Sequence, residues 1–338
     1  MSKSTGMTQR IRLLLVAAPL ALGVALAASA AAQAKAPGHN GPIAFTSFDP
    51  DTGTPRTHVV AADGSGETTL PIETPNGNAR WSPDGTRLVM FTFTDLGLRP
   101  GISNADGSGF AVLGIPGLPS FLDVGPCIWA AAGNRILCKA TNFATPDSSL
   151  DGIYSIADNG SDPVRLTVNP FPPSGVFGGG DLPGDVSPDG RRFVFMRGKP
   201  GPPQSRGHDQ SGALFVANMD GSDVRQLTQY GLANSHDESA VSWSPDGRTI
   251  LFGSEQGTLF TIHADGTQLT SISIRGAGSA TFAAEPNWSP DGRHIAFKLF
   301  LRSAGRSDIY TVNRDGTGLT RLTTSGNIEW PDWGPTSN

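Results

Sequence analysis

Five carboxylates stand a few residues ahead of a recurring tryptophan or its equivalent. They are Asp123, Asp181, Glu238, Glu285 and Glu329, preceding Trp129, Val186, Trp243, Trp288 and Trp333. Ahead of Trp81 the place is taken by Asn78. Acids drawn from distant parts of a chain can hold a divalent cation such as Ca2+, or create a negative potential that attracts a basic partner. Each use requires a fold that brings them together. Other chemistry-bearing residues offer less. His236, Asp237 and Glu238 are three ligand types in succession, but adjacent residues rarely converge on one metal, so an exposed loop is the expectation there. His208, His263 and His294 fall at unrelated positions and read as surface or turn residues. Asp49 to Gly53, "DPDTG", alternates acids as a calcium loop does but lacks the later glutamate. The glycine-rich "GVFGGGD" is not followed by Lys-Ser/Thr, which argues against a phosphate cradle. No Gly-x-Ser-x-Gly, His-Glu-x-x-His or Cys-x-x-Cys occurs.

The elements that would position these acids are written into the chain as a repeat. "WSPDG" stands at Trp81, Trp243 and Trp288, with "VSPDG" at Val186, a degenerate "WAAAGN" at Trp129 and a terminal "WGP" at Trp333. The steps between these anchors are 48, 57, 57, 45 and 45 residues. A period of roughly 45 with such punctuation predicts the blades of a β-propeller, each of four strands. Within one period the signals keep their order. An inner strand A ends at the anchor, strand B follows SPDG ("RLVMFTF", "RFVFM", "TILFGS", "HIAFKL"), and strand C runs into Asp-Gly. Strand D then closes on Leu-Thr, as at Val224 to Thr228 and Leu319 to Thr323. Proline presets φ in the A to B turn, Ser and Asp bond nearby backbone, and glycine accepts the positive φ that returns the chain. The tryptophans Trp81, Trp129, Trp243, Trp288 and Trp333 are expected to be apolar plates packed between blades rather than reactive groups.

These motifs resemble the Pro-Asp type repeats of the TolB-like propeller family, which is related to the propeller of prolyl oligopeptidases. The resemblance rests on "WSPDG" with its following strand and on the Asp-Gly to Leu-Thr ending, and covers about residues 41–338. It implies an all-β, six-bladed propeller of four-stranded antiparallel blades and, as that family does, receipt of partner peptides at the channel mouth. In the family's namesake an α/β domain precedes the propeller; here the repeats are expected to start directly after the leader. The hydrolase domain of the prolyl oligopeptidases is not expected either.

Blade counting gives the closure. The last period supplies only an A strand around Trp333, while "PIAFTSF", "RTHVVAADG" and "ETTLPI" near the start supply the other three. Together they predict a sixth blade that leaves no open sheet edge. Residues 1–34 read as a signal peptide: Lys3, Arg10 and Arg12, an apolar run, then small residues ending "AQA". Residues 35–40 form a short linker and 41–338 the propeller. With 43 glycines, 27 prolines and 37% hydrophobic residues, the composition suits many short strands and tight turns. The formal charge of −5 comes from 25 basic and 30 acidic residues; removing the three leader cations leaves 22 against 30, a net of −8. That balance argues against nucleic acid as the partner. No later stretch is apolar and long enough to span a bilayer, so a monomer exported to the periplasm or medium is expected. Cys127 and Cys138 lie two before and nine after Trp129, facing one another across strands A and B, and a disulfide suits an exported chain.

Strand order also separates two faces. All SPDG and Asp-Gly turns fall on one; the B to C and D to A loops, long and irregular, fall on the other, where binding is expected to reside. The inner strands begin on that irregular face, so the five acids are expected to ring the mouth of the central channel. Two functions fit. One is a non-catalytic binding propeller for a protein, a peptide, especially a basic one, or a glycan. The other is a propeller enzyme, a polysaccharide lyase or lactonase, with a metal on channel carboxylates or histidines. Only His236 among the histidines lies near the mouth in sequence, which favours binding without a cofactor.

Overall fold

The Ser-Pro-Asp-Gly turn assembles from its own side chains. Ser82 Oγ donates to Asp84 Oδ1 at 2.6 Å and accepts from the N–H of Arg87 at 2.9 Å, while the N–H of Gly85 closes onto the Ser82 carbonyl at 2.9 Å. The same pattern recurs at Ser187, Ser244 and Ser289. The glycines sit at φ between 67° and 70°, in the left-handed region that a side chain would oppose. The Asp-Gly turns work similarly, with Asp63, Asp106, Asp220, Asp265 and Asp315 each accepting from the backbone and hydroxyl of the Ser or Thr two residues on. The Leu-Thr ending has its own use. The D strands stop after two residues in blades 4 and 6, and Thr228 and Thr323 turn inward to accept the N–H of Leu214 and Ile309 on strand C. Thr167 does so for Ile153.

In the computed structural model, described for residues 38–142, 149–168, 170–171, 180–199, 211–233, 241–254, 256–278 and 281–337, these units form six four-stranded antiparallel sheets. The described residues contain no helix, and none is therefore long and apolar enough to cross a membrane. The fold is a six-bladed β-propeller, as the repeat predicts. Its first blade is composite: Ile328–Pro335 pairs with Asn40–Phe48, setting Trp333 opposite Ile43, and Pro55–Val60 and Thr68–Thr69 follow outward. Blades 2 to 6 have inner strands Asn76–Trp81, Asp123–Trp129, Gly180–Val186, Val241–Trp243 and Thr281–Trp288. The leader, His208, and the segment with His236, Asp237 and Glu238 lie outside the described residues, as does most of "GVFGGGD".

The core lies between blades. Six apolar clusters fill the six blade-to-blade seams, among them Ile43, Phe45 and Trp333 of blade 1 against Ala296, Ile309 and Leu322 of blade 6. No blade buries its faces alone, so the ring stands or falls as a unit. The five anchor tryptophans are 2 to 5% exposed within these seams, and the Trp81 indole lies directly on Gly334 of blade 1, where a side chain would leave its Cβ 2.6 Å from the ring. Arg87 and Arg192 stack over Trp129 and Trp243 of the following blade at 4.6 and 5.4 Å. His294, equivalent in position, lies beside Trp333 at 6.2 Å, which makes it a seam residue rather than only a turn residue. In blade 3 a disulfide joins Cys127 and Cys138 across paired strands.

A ring of hydrogen bonds around the axis supplements the apolar seams. The residue before four of the six anchors reaches to the anchor N–H of the next blade: Asp185 to Trp243 at 2.7 Å, Ser242 to Trp288 at 3.2 Å, Asn287 to Trp333 at 3.0 Å and Asp332 to Trp81 at 2.8 Å. Asp332 also accepts from Arg80 at 3.2 Å and Asn287 at 2.9 Å, tying blades 1, 2 and 6 at the closure.

Candidate ligand-binding face

The four described acids flagged in the sequence, Asp123, Asp181, Glu285 and Glu329, stand on the irregular side, but not as a ring of bare carboxylates. Asp181, 1% exposed, is held by both Nε and Nη2 of Arg197, at 2.6 and 2.7 Å. Glu285 is 2% exposed, takes the Lys298 ammonium on one oxygen and the N–H of Trp330 on the other, and Lys298 reaches on to Glu329. Asp123 accepts the N–H of Leu98 from blade 2 at 2.6 Å. Glu238 is outside the described residues. The negative funnel expected from the acids is thus largely offset by Arg197 and Lys298 on the neighbouring B strands. Burying those carboxylates without cations would cost far more than pairing them.

The acids also stand at different distances from their anchors, and the inner strands carry bulges that turn equivalent side chains differently. Three bulge residues, each three before its anchor, adopt positive φ: Asn78 at 52°, Glu285 at 54° and Trp330 at 56°. Asn tolerates that conformation; a bulky Trp ordinarily does not. Trp330 is nevertheless held there, with its N–H on Glu285 and its indole between Phe48 at 6.0 Å and Phe91 at 5.5 Å. Its ring is only partly buried. Phe91 in turn meets Phe93 edge-on at 5.6 Å, and Phe93 is 50% exposed.

On blade 4 a second group forms around Arg197, whose guanidinium lies 4.9 Å from Phe215 and 5.3 Å from Phe195, with Lys199 6.0 Å from the Tyr230 ring. Burial pushes Arg197 down, but the hydrogen bond and charge of Asp181 outweigh it and hold the guanidinium above its ordinary pKa. Burial likewise raises Tyr230, with Arg197 opposing. Deeper in, at the axis, a small cavity of about 20 Å³ is lined by Arg80, Ile128, Trp129, Asp185, Asn287 and Asp332 among others.

Sequence reasoning missed Arg197, Lys298, Trp330 and the phenylalanines as site residues. Only the polar character of the residue before five of the six anchors, all but Ile128 before Trp129, gave a readable sign of the axial ring. Among the described residues no three His, Cys, Asp or Glu side chains are grouped to hold a metal ion. Asp49, in "DPDTG", accepts from the N–H groups of Asp51 and Thr52, so its loop is closed by its own hydrogen bonds.

No family model matches the chain, and no curated protein matches it. Solved structures do. TolB from Acinetobacter baumannii is similar at a TM-score of 0.62 with 17% identity, over 88% of this chain and 67% of that one. The nidogen/laminin complex gives 0.61 with 7% identity, over 88% and 99%. An oligogalacturonate lyase in complex with manganese gives 0.50 with 14% identity, over 85% and 74%. At these identities the likeness shows the fold, shared by proteins of different activities.

Proposed function

We propose that the chain is an exported, non-catalytic binding propeller that receives a protein, peptide or glycan on its irregular face, beside the channel mouth. The observation that carries this reading is the contrast between the two faces. One is built of short turns whose polar groups satisfy each other. The other presents Trp330 in a backbone conformation costly for its size, beside the Glu285–Lys298–Glu329 group, with its ring still partly open to solvent. Likeness to TolB and to a propeller from a complex of nidogen with laminin supports a binding role. Export is supported by the apolar N-terminal run and by the disulfide.

The test compares two variants with the parent for retention of envelope proteins and for binding on an oligosaccharide array. Glu329→Gln combined with Trp330→Ala should weaken binding at least tenfold, whereas Arg191→Glu combined with Arg293→Glu, on the turn face, should not change it. Loss with the turn-face pair alone would overturn the assignment of the face. A stoichiometric divalent metal on the purified protein, with cleavage of an oligogalacturonate, would move the reading to the enzyme class.

A further inference from the structure

An apolar strip crosses blades 1 to 3 on the irregular face, to one side of the axis. It runs through Phe48, Trp330, Phe91 and Phe93, whose successive ring centroids are 6.0, 5.5 and 5.6 Å apart, and continues to Leu96 and Phe121. Leu96 is at the tip of the hairpin in which Phe93 pairs with Leu98, and Phe121 stands two residues before Asp123, which takes the Leu98 N–H. Phe93, Leu96 and Phe121 are 50, 64 and 49% exposed. The other large apolar side chains exposed among the described residues are scattered over blades 2 to 5: Val112 and Val164 in outer D strands, Val224 and Leu269 one residue before such strands, and Val168, 65% exposed, three residues after one. Grouped exposure of this kind marks interaction surfaces; scattered exposure does not.

The rim identifies the partner's chemistry. Asp49, Asp51, Glu73 and Asp95 are exposed on the loops that border the strip. Hydrogen bonds from Thr52 hold Asp49 below its ordinary pKa, which keeps it charged. Two cations stand nearby with their donors on backbone carbonyls, Arg56 on those of Ile72 and Glu73 and buried Arg99 on those of Leu98, Ser120 and Leu122, so the four carboxylates outnumber them. No lysine occurs between Lys35 and Lys139. Resting on the binding role argued above, we propose that this strip docks a polypeptide segment of a partner in which aromatic or aliphatic side chains are flanked by lysine or arginine. Phenylalanine and leucine anchors call for apolar side chains rather than sugar hydroxyls, and the acidic rim repels an anionic bilayer while attracting a basic peptide.

The experiment selects a phage library of random dodecapeptides on the immobilised propeller. It then measures synthetic copies of the enriched peptides by fluorescence anisotropy against the parent, Phe93→Ser/Leu96→Ser/Phe121→Ser, and a control, Val112→Ser/Val224→Ser/Leu269→Ser. Enrichment of peptides combining apolar residues with Lys or Arg is expected, with affinity falling at least tenfold in the strip variant and unchanged in the control. Affinity should fall further as salt is raised. Enrichment of acidic or purely polar peptides, no enrichment at all, or equal affinity for parent and strip variant would each overturn the proposal. If the strip variant matches the parent while Glu329→Gln alone, which touches no ring of the strip, still loses the envelope partner, the strip fails and the wider binding role stands.

Discussion

Replacing Asp332 with alanine should be among the most damaging single changes outside the apolar seams. The carboxylate, on blade 1, is 2% exposed and its side chain reaches two other blades: the Trp81 N–H at 2.8 Å and the Arg80 guanidinium at 3.2 Å on blade 2, and the Asn287 amide at 2.9 Å on blade 6. Arg80 is itself only 6% exposed, so solvent screens the pair little. Removing one partner of a buried ion pair costs about 3–5 kcal/mol, largely because the other charge stays behind in a poor solvent. Hydrogen bonds to a charged acceptor are separately worth about 1.5–3 kcal/mol each, and the two figures overlap because Arg80 is counted in both. We expect a loss of about 3–5 kcal/mol, a large share of the roughly 5–15 kcal/mol that folded domains possess.

The assay is urea unfolding at neutral pH, followed by tryptophan fluorescence and far-ultraviolet dichroism, on the parent, Asp332→Ala, Arg80→Met and the double variant. Because the two residues touch, their effects should be non-additive, with the double variant less destabilised than the sum of the singles. A single Asp332→Ala variant within 1 kcal/mol of the parent, or strict additivity, would show that the axial ring decorates a closure held by the apolar seam alone.

Three further outcomes follow from particular contacts. Thiol titration of unfolded, unreduced protein should find no reactive group, and Cys127→Ala/Cys138→Ala should cost about 3 kcal/mol, the chain-entropy value for a sequence separation of 11; two free thiols would refute the pairing. Deleting residues 41–72 removes three of the four strands of blade 1 and should give aggregation, and a soluble, cooperatively melting product would overturn the requirement for closure. Asp63, Asp106, Asp220, Asp265 and Asp315 are held below the ordinary 3.8, first by the hydroxyl and then by the backbone N–H of the residue two on, so the stability they add is present above pH 3.8 and is lost as pH falls through their folded values. The urea midpoint should therefore be flat down to about pH 5 and decline below 4; a midpoint that rises on acidification would contradict this.

The fold was legible because its punctuation is local. A Ser-Pro-Asp-Gly turn closes on its own hydroxyl and carboxylate, so four letters carry nearly all of its physics, and the composite blade followed from counting strands. The site was less legible because its contacts depend on register. Asp123, Asp181, Glu285 and Glu329 lie six, five, three and four residues before their anchors, and along a strand a change of one residue exchanges the two faces. Bulges in the inner strands change the parity again. Arg197 and Lys298 were invisible as partners for the same reason: Arg197 is one of three cations in its B strand and Lys298 a lone lysine in an apolar one, and only the pairing sets each beside an acid. In "NIEWPDW" the eye goes to Trp333, the repeat's anchor, while Trp330 reads as an extra aromatic with no period to explain it.

Blade 3 shows what replaces the motif where the sequence abandons it. Its turn is "WAAAGN" rather than SPDG, and Asn159 stands where the other blades use Asp. The axial relay is also interrupted on both sides of it. Arg80, which precedes the blade 2 anchor, has no acceptor to offer Trp129, and Ile128 has none to offer Val186, whose N–H turns instead to its neighbour Asp185 at 2.8 Å. Other bonds occupy the same seam. The Trp129 indole donates to the Arg80 carbonyl at 3.0 Å, and Arg87 stacks on that indole while its Nη1 reaches Asp158 at 2.8 Å. Within the blade, the disulfide fastens strands A and B. A repeat degenerate in letters is therefore not the weak point of the ring, because a covalent bond and a cation over a ring stand where two side chain to backbone bonds are missing. Removing the disulfide should for that reason expose blade 3 first, and hydrogen exchange at Ile136, Leu137 and Cys138→Ala should quicken before that of the matching B strand of blade 6. Uniform exchange across both blades would mean that the cation and indole suffice.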